Sequence, residues 1–227
     1  MRLEKLFDIQ RKLDERIVEK HGLQGEDLFD KKILALQVEL GELANEWRGF
    51  KYWSKDQKPR RKSFRWVVVE KKENSSLEQE IEYYPLLEEY VDCLHFRLSI
   101  GLELKFTTEI DIWEALPVSD VTERFLSVFY DINSIRLTKA VSKVTKDQYE
   151  CLLSGFITLG VELGFTFEEI EQAYLDKNKV KDLAALKELK NLERLLLNEN
   201  AVESVEDLEK MTKLKVLQFI STDRVFT

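Results

Sequence analysis

Along most of this chain the apolar residues recur at steps of three and four, the spacing that lines one side of an α-helix. Leu6, Ile9, Leu13 and Ile17 mark a first helix over residues 3–20, stopped by Gly22 and Gly25. Leu36, Leu40, Leu43 and Trp47 mark a second, which Asp27 or Asp30 can cap and which ends near Gly49. Pro85 suits the first position of a third helix, PLLEEYVDCLHFRLSIGLEL. A fourth, over 121–139, carries Phe125, Val128, Phe129, Ile132 and Ile135, and a fifth spans 149–163. Thr166 and Glu169 have the spacing of a capping box for a sixth, ending near Tyr174. At least six helices, with only 8 glycines and 3 prolines, predict an all-α bundle and argue against a sandwich or barrel.

Two stretches break that period. In residues 55–84, Lys55, Lys58, Arg60, Arg61, Lys62 and Arg65 crowd around Pro59, and then FRWVVVE and LEQEIEYY read as a strand and a partner strand. The segment is expected to be a hairpin or mobile flap; its basic cluster is either a phosphate-contacting surface or a charged loop. From Leu183 the apolar residues step by three through Leu186, Leu189, Leu192 and Leu195, a period that does not fit a helix. LERLLLNENAV matches L-x-x-L-x-L-x-x-N-x-L, and Leu208, Met211, Leu214, Leu217 and Phe219 follow 22 residues later, with an amphipathic helix as the competing explanation. Residues 183–227 therefore resemble two leucine-rich repeats, too few to bury a core alone. The organisation expected is a helical domain over 1–180, with 55–84 as its insert, and a repeat-like tail over 183–227.

The second helix has an awkward polar pattern. Glu39, Glu42 and Glu46 share a stripe between the apolar face and Val38, away from the polar side carried by Gln37, Gly41, Asn45 and Arg48. Carboxylates clustered beside a core repel one another and lose hydration unless a cation joins them. Pairing with Lys or Arg, or a plain surface stripe, is the competing explanation. On the third helix Glu88, Glu89 and Asp92 lie within one turn; taken alone, they read as a solvated face continued by Ser99 and Glu103. Packed face to face, Glu39-x-x-Glu42 and Glu89-x-x-Asp92 would present four carboxylates to one volume. All-oxygen ligation suits Mg²⁺, or Mn²⁺, and the chemistry such a site serves is phosphoanhydride hydrolysis. With only His21 and His95 in the chain, a histidine-based centre is not expected, and His95 reads as a hydrogen-bonded core residue. Gln10 and Asp14, one turn apart, read as a solvent-facing pair, the alternative being a polar pair presented to a ligand.

Composition narrows the setting. The 227 residues suffice for one full core with a small appendage. A net charge of −8 argues against direct nucleic-acid binding, though not against a nucleotide arriving with its own cations. Cys93 and Cys151 sit in apolar surroundings and need not pair, which suits a cytoplasmic compartment. The N-terminal residues lack a signal-type apolar run, and the longest apolar span, 151–165, is short and contains Glu162, so no membrane segment is expected. Walker and dinucleotide glycine patterns are absent.

The ordered runs LALQVELGELANEWRGFKYWS, LLEEYVDCLHFRLSIGLEL and AYLDKNKV closely resemble the all-α dimeric dUTPases, relatives of the MazG-like nucleotide pyrophosphatases. The resemblance covers about residues 1–180. It implies Mg²⁺-dependent cleavage of dUTP, and of dUDP, to dUMP by a homodimer. By it, Glu39, Glu42, Glu89 and Asp92 are metal ligands, Glu46 and Glu88 are neighbouring acids, and one of these acids takes a proton from the attacking water. Gln10 belongs to a uracil-contacting motif, Trp47 and Trp53 wall the base pocket, and Lys51, Lys177 and Asn178 meet the phosphates. After Val180 the chain departs from the family pattern: Lys181 and Asp182 lead straight into the tail. Two other functions compete with dUTP hydrolysis. One is a house-cleaning pyrophosphatase for dCTP or another non-standard nucleotide. The other is an interaction protein that uses the same scaffold and a protein partner for its tail.

Overall fold

Six helices follow the order that the apolar spacing predicts. The computed structural model describes residues 3–72, 75–178, 194–198 and 216–220. The elements are α1 (Leu3–His21), α2 (Phe29–Trp47), β1 (Ser63–Lys72), β2 (Ser75–Tyr83), α3 (Pro85–Leu104), α4 (Val121–Val141), α5 (Lys146–Glu162), α6 (Phe167–Asn178), β3 (Arg194–Asn198) and β4 (Val216–Ile220). The chain divides into two compact units. One is Met1–Lys62 with Tyr84–Tyr174, and the other is Ser63–Tyr83 with Leu175–Thr227.

The first unit is helical, and its core takes in much of the predicted apolar spacing, although Ile17 of the α1 stripe is exposed and Phe7, outside that stripe, is buried. Leu6 and Phe7 of α1, Leu36, Leu40 and Leu43 of α2, and Leu86, Leu94 and Leu98 of α3 are all buried. So are Val128, Ile132 and Ile135 of α4 and Leu152, Leu153 and Phe156 of α5. Packed layers of this kind, more than intrinsic propensity, hold helices of 17 to 21 residues in place. α3 is central and packs against α1, α2 and α5. Two glycines permit close approach around it. Gly101 leaves room for the Tyr149 ring, and Gly160 leaves room for Tyr90, whose hydroxyl donates to the Phe156 carbonyl at 3.0 Å. The capping box expected at Thr166 and Glu169 is present, whereas the N-cap of α2 is Leu28, which makes no side-chain cap. Thr166 and Glu169 exchange hydrogen bonds as a capping box, Asp27 accepts from Phe29 N, and Asp120 caps α4 by accepting from Glu123 N.

One connection gave no sequence signal. Residues 106–120 run along α5, where Glu150, Ser154 and Thr158 accept from the backbone N–H groups of Asp111, Trp113 and Ala115. Four residues of helix rise about 6 Å and two of extended chain about 6.6 Å, so the two ladders keep step.

In the second unit β1 and β2 form an antiparallel hairpin, with Ser63 opposite Tyr83 and a register shift between Val68 and Glu70. The predicted strand pair is therefore present. β3 and β4 pair in parallel, each residue opposite the one 22 positions further along. The pairing of these two strands does not show the leucine-rich repeats expected over 183–227. Leu183, Leu186, Leu189, Leu192, Asn200, Val202, Leu208, Met211 and Leu214 lie outside the described residues, as do Lys181 and Asp182.

Candidate metal centre

Of the four carboxylates that the sequence sets on two helices, Glu39, Glu89 and Asp92 converge in the fold. α2 and α3 lie side by side, and Glu39, Glu89 and Asp92 each offer a carboxylate oxygen, all within 4.8 Å of one another. All three are half-buried. Glu42, one turn along α2 from Glu39, is close enough to act on Glu89 as well. Burial is the main force raising the Glu89 pKa from 4.5 to about 8, followed by the charges of Asp92, Glu42, Glu39 and Glu88. Burial and the negative charge of neighbouring carboxylates both favour the protonated form of Glu89. The donors are oxygens only, they carry several negative charges, and they converge, so the set fits a hard divalent cation.

Glu46 lies one turn further along α2, and its carboxylate accepts from Arg60 Nη1 at 3.1 Å. Arg60 N also donates to the Glu46 carbonyl, and Leu86 N to the Arg60 carbonyl. The basic segment is thus stitched between the end of α2 and the start of α3. Arg61 donates to the Leu163 carbonyl and lies 5.5 Å from the Phe165 ring centre. Arg48, in the left-handed conformation at φ 67°, closes the turn after α2 by donating from Nε and Nη2 to the Asp56 carbonyl. These arginines brace the loop, a role that nothing in their sequence spacing indicates.

The aromatic residues form a chain beside the acids. Trp47 lies 5.3 Å from Phe125 and 6.5 Å from Phe50 between ring centres, and Phe50 meets Trp53 edge-on at 5.8 Å. Phe50 therefore stands between the two tryptophans that the sequence paired. Trp47 is half-buried, whereas Trp53 is 65% exposed and touches Tyr52. Lys51 Nζ lies 5.7 Å from the Phe50 ring centre. Lys177 and Asn178 form the C-terminal end of α6.

Gln10 and Asp14 are not the solvent-facing pair that their spacing suggests. Gln10 is buried, and its Nε2 donates to Asp14 at 2.7 Å. Its Oε1 accepts from the Tyr174 hydroxyl and from His95 Nδ1, each at 2.8 Å. Ser99 donates to Asp14, and Lys32 approaches the same carboxylate at 3.7 Å. Tertiary partners from α3 and α6 convert a surface-like pair into a buried network. His95 stands one helical turn beyond Asp92 on α3.

Among the described residues, no single helix is long and apolar enough to cross a membrane. A family model described as dUTPase matches residues 2–70 and 74–183. No curated protein and no solved structure matches the chain.

Proposed function

From the premise that this chain belongs to the dUTPase family, we propose that it hydrolyses dUTP, and dUDP, to dUMP with Mg²⁺ held by Glu39, Glu89 and Asp92. Family membership supports nucleotide hydrolysis, and the observation that carries the finer reading is the convergence of those three carboxylates between α2 and α3. Glu42 completes the ligand set. Bound there, Mg²⁺, or Mn²⁺ in its place, supplies the positive charge that gathers phosphate oxygens and acidifies water.

The chain's own groups do the rest. Glu46 lies one turn beyond Glu42, held by Arg60, and takes the proton from the attacking water as general base. Trp53, exposed at the end of the aromatic chain, stacks on the base, with Trp47 and Phe50 behind it. Lys51, Lys177 and Asn178 contact the phosphates. Gln10 serves the base end through the polar network it anchors with His95 and Tyr174. The enzyme works as a homodimer.

Pyrophosphate release from dUTP, dCTP, dTTP and UTP, measured side by side with and without Mg²⁺, tests this reading. The expected result is Mg²⁺-dependent release that is fastest with dUTP and abolished by Glu42→Gln. Faster turnover of dCTP would move the assignment to a house-cleaning pyrophosphatase. No release from any nucleotide, in wild type and variant alike, would leave the scaffold as an interaction protein.

A further inference from the structure

We propose that one face of the β1–β2 hairpin docks a basic segment of another protein in extended conformation, with arginine or lysine at alternate positions, laid along the strands over Phe64 and Trp66. The proposal goes beyond the reaction described above and does not rest on it.

The strand register sorts the hairpin into two unlike faces. In an antiparallel pair, residues directly opposite each other point to the same side, and successive residues along a strand to opposite sides. Phe64 opposite Glu82 and Trp66 opposite Glu80 therefore share one face, and Ser63 opposite Tyr83 with Arg65 opposite Ile81 share the other. That second face is half-covered at all four positions. It also carries its own cation, because the Arg65 guanidinium lies 4.7 Å from the Tyr83 ring centre. The first face is open. Trp66 is 67% exposed and Phe64 54%, and Glu80 and Glu82 are exposed with them. None of these four residues is basic, so the face offers rings and carboxylates with no cation among them.

That chemistry names the occupant. A cationic side chain over an aromatic ring, with a carboxylate directly across the strand, is attracted by both, and the planar, weakly hydrated guanidinium of arginine suits the pair best. The two aromatic–carboxylate rungs stand two residues apart, about 6.6 Å along a strand, which is also the distance between alternate side chains of an extended peptide. One segment with cations at i and i+2 therefore fills both rungs together. A helix does not, because its same-face side chains come at three and four residues. Glu80 and Glu82 repel phosphates, which excludes nucleic acid, and they disfavour an anionic membrane for the same reason. Charge selects a basic partner, and the exposed rings supply the apolar area that it covers.

The test is fluorescence anisotropy of short labelled peptides with the full chain. One peptide alternates arginine and threonine; a second has the same composition with its arginines in adjacent pairs, so that none stands two residues from another; a third alternates glutamate and threonine. The alternating basic peptide is expected to bind with a Kd of about 10–100 μM, at least about 10-fold more tightly than the paired one, and the acidic peptide not at all. Trp66→Ala and Glu80→Lys should each weaken that binding at least about 10-fold. Gln79→Ala, one residue along β2 and on the other face, should leave it unchanged. Should Trp66→Ala fail to fold, Glu80→Gln reads the same rung, with an expected loss of about 3-fold. Equal binding of the two basic peptides overturns the proposal, as does binding that survives Trp66→Ala and Glu80→Lys alike, or no binding at about 1 mM peptide. Single-stranded DNA and phosphatidylserine vesicles are run in parallel, and tighter binding of either overturns it in favour of that ligand.

Discussion

Two polar clusters share α3, one helical turn apart, and they are built on opposite principles. Around His95, donors meet acceptors: the Gln10 carbonyl takes protons from His95 and Tyr174, its amide gives one to Asp14, and Ser99 and Lys32 complete the Asp14 side. Around Asp92, like charges gather: Glu39, Glu89 and Asp92 bring carboxylate oxygens within 4.8 Å of one another, and the Glu89 pKa rises to about 8 under burial and the charges of its neighbours. The first cluster contains its own complement and fastens α1 and α6 to α3. The second gathers negative charge in one place, an arrangement that costs stability and that a cation relieves.

The contrast is sharpest in substitutions that move activity and stability in opposite directions. Glu89→Gln should lower kcat on dUTP at least about 1,000-fold while stabilising the metal-free protein at pH 8 by roughly 1–2 kcal/mol, a figure kept small because Glu89 is only half-buried and solvent screens the repulsion. Steady-state kinetics and chemical denaturation in EDTA read the two effects. Gln10→Leu should do the reverse in stability. It keeps the volume but leaves His95, Tyr174 and Asp14 short of a partner, at a cost of about 2–3 kcal/mol in urea denaturation.

The helical register of α2 is legible in the sequence, because Leu36, Leu40 and Leu43 fix which side faces inward, and all three are buried. That register alone sets Glu39 and Glu42 beside the core. Asp92 and Glu89 are harder to read, since Ser99 extends their side into the pattern of a polar face. Ser99 is buried against Asp14 instead, a partner 85 residues away. Gln10 reads as solvent-facing for the same reason: Tyr174 is 164 residues distant and His95 is 85, and local periodicity carries no trace of either. The clamp of Arg60 on Glu46, across a turn 14 residues long, is equally hidden. Periodicity reports which face is buried; it does not report which polar group arrives to meet it.

A pH series separates the clusters further. Glu89 titrates near 4.5 when exposed and near 8 in the folded, metal-free chain, so between those values the folded state holds a proton that the unfolded state releases. Stability in EDTA should therefore fall as pH rises from about 4.5 to about 8. Mg²⁺ should restore more of it at pH 8 than at pH 5, and Glu89→Gln should flatten the trend; thermal melts across the window check all three. The smallest expected effect belongs to the exposed end of the aromatic chain. Trp53→Ala should raise KM for dUTP about 10-fold while changing the denaturation midpoint by less than about 0.5 kcal/mol in free energy.

The most direct test of the α2–α3 acids as a cation site is Mn²⁺ binding to the substrate-free protein at pH 8, read by loss of the free-ion paramagnetic resonance signal. Wild type should bind Mn²⁺, Mg²⁺ should displace it, and Asp92→Asn and Glu39→Gln should each weaken binding at least about 10-fold, while Gln10→Leu leaves it unchanged. Equal Mn²⁺ affinity in wild type, Asp92→Asn and Glu39→Gln would contradict it.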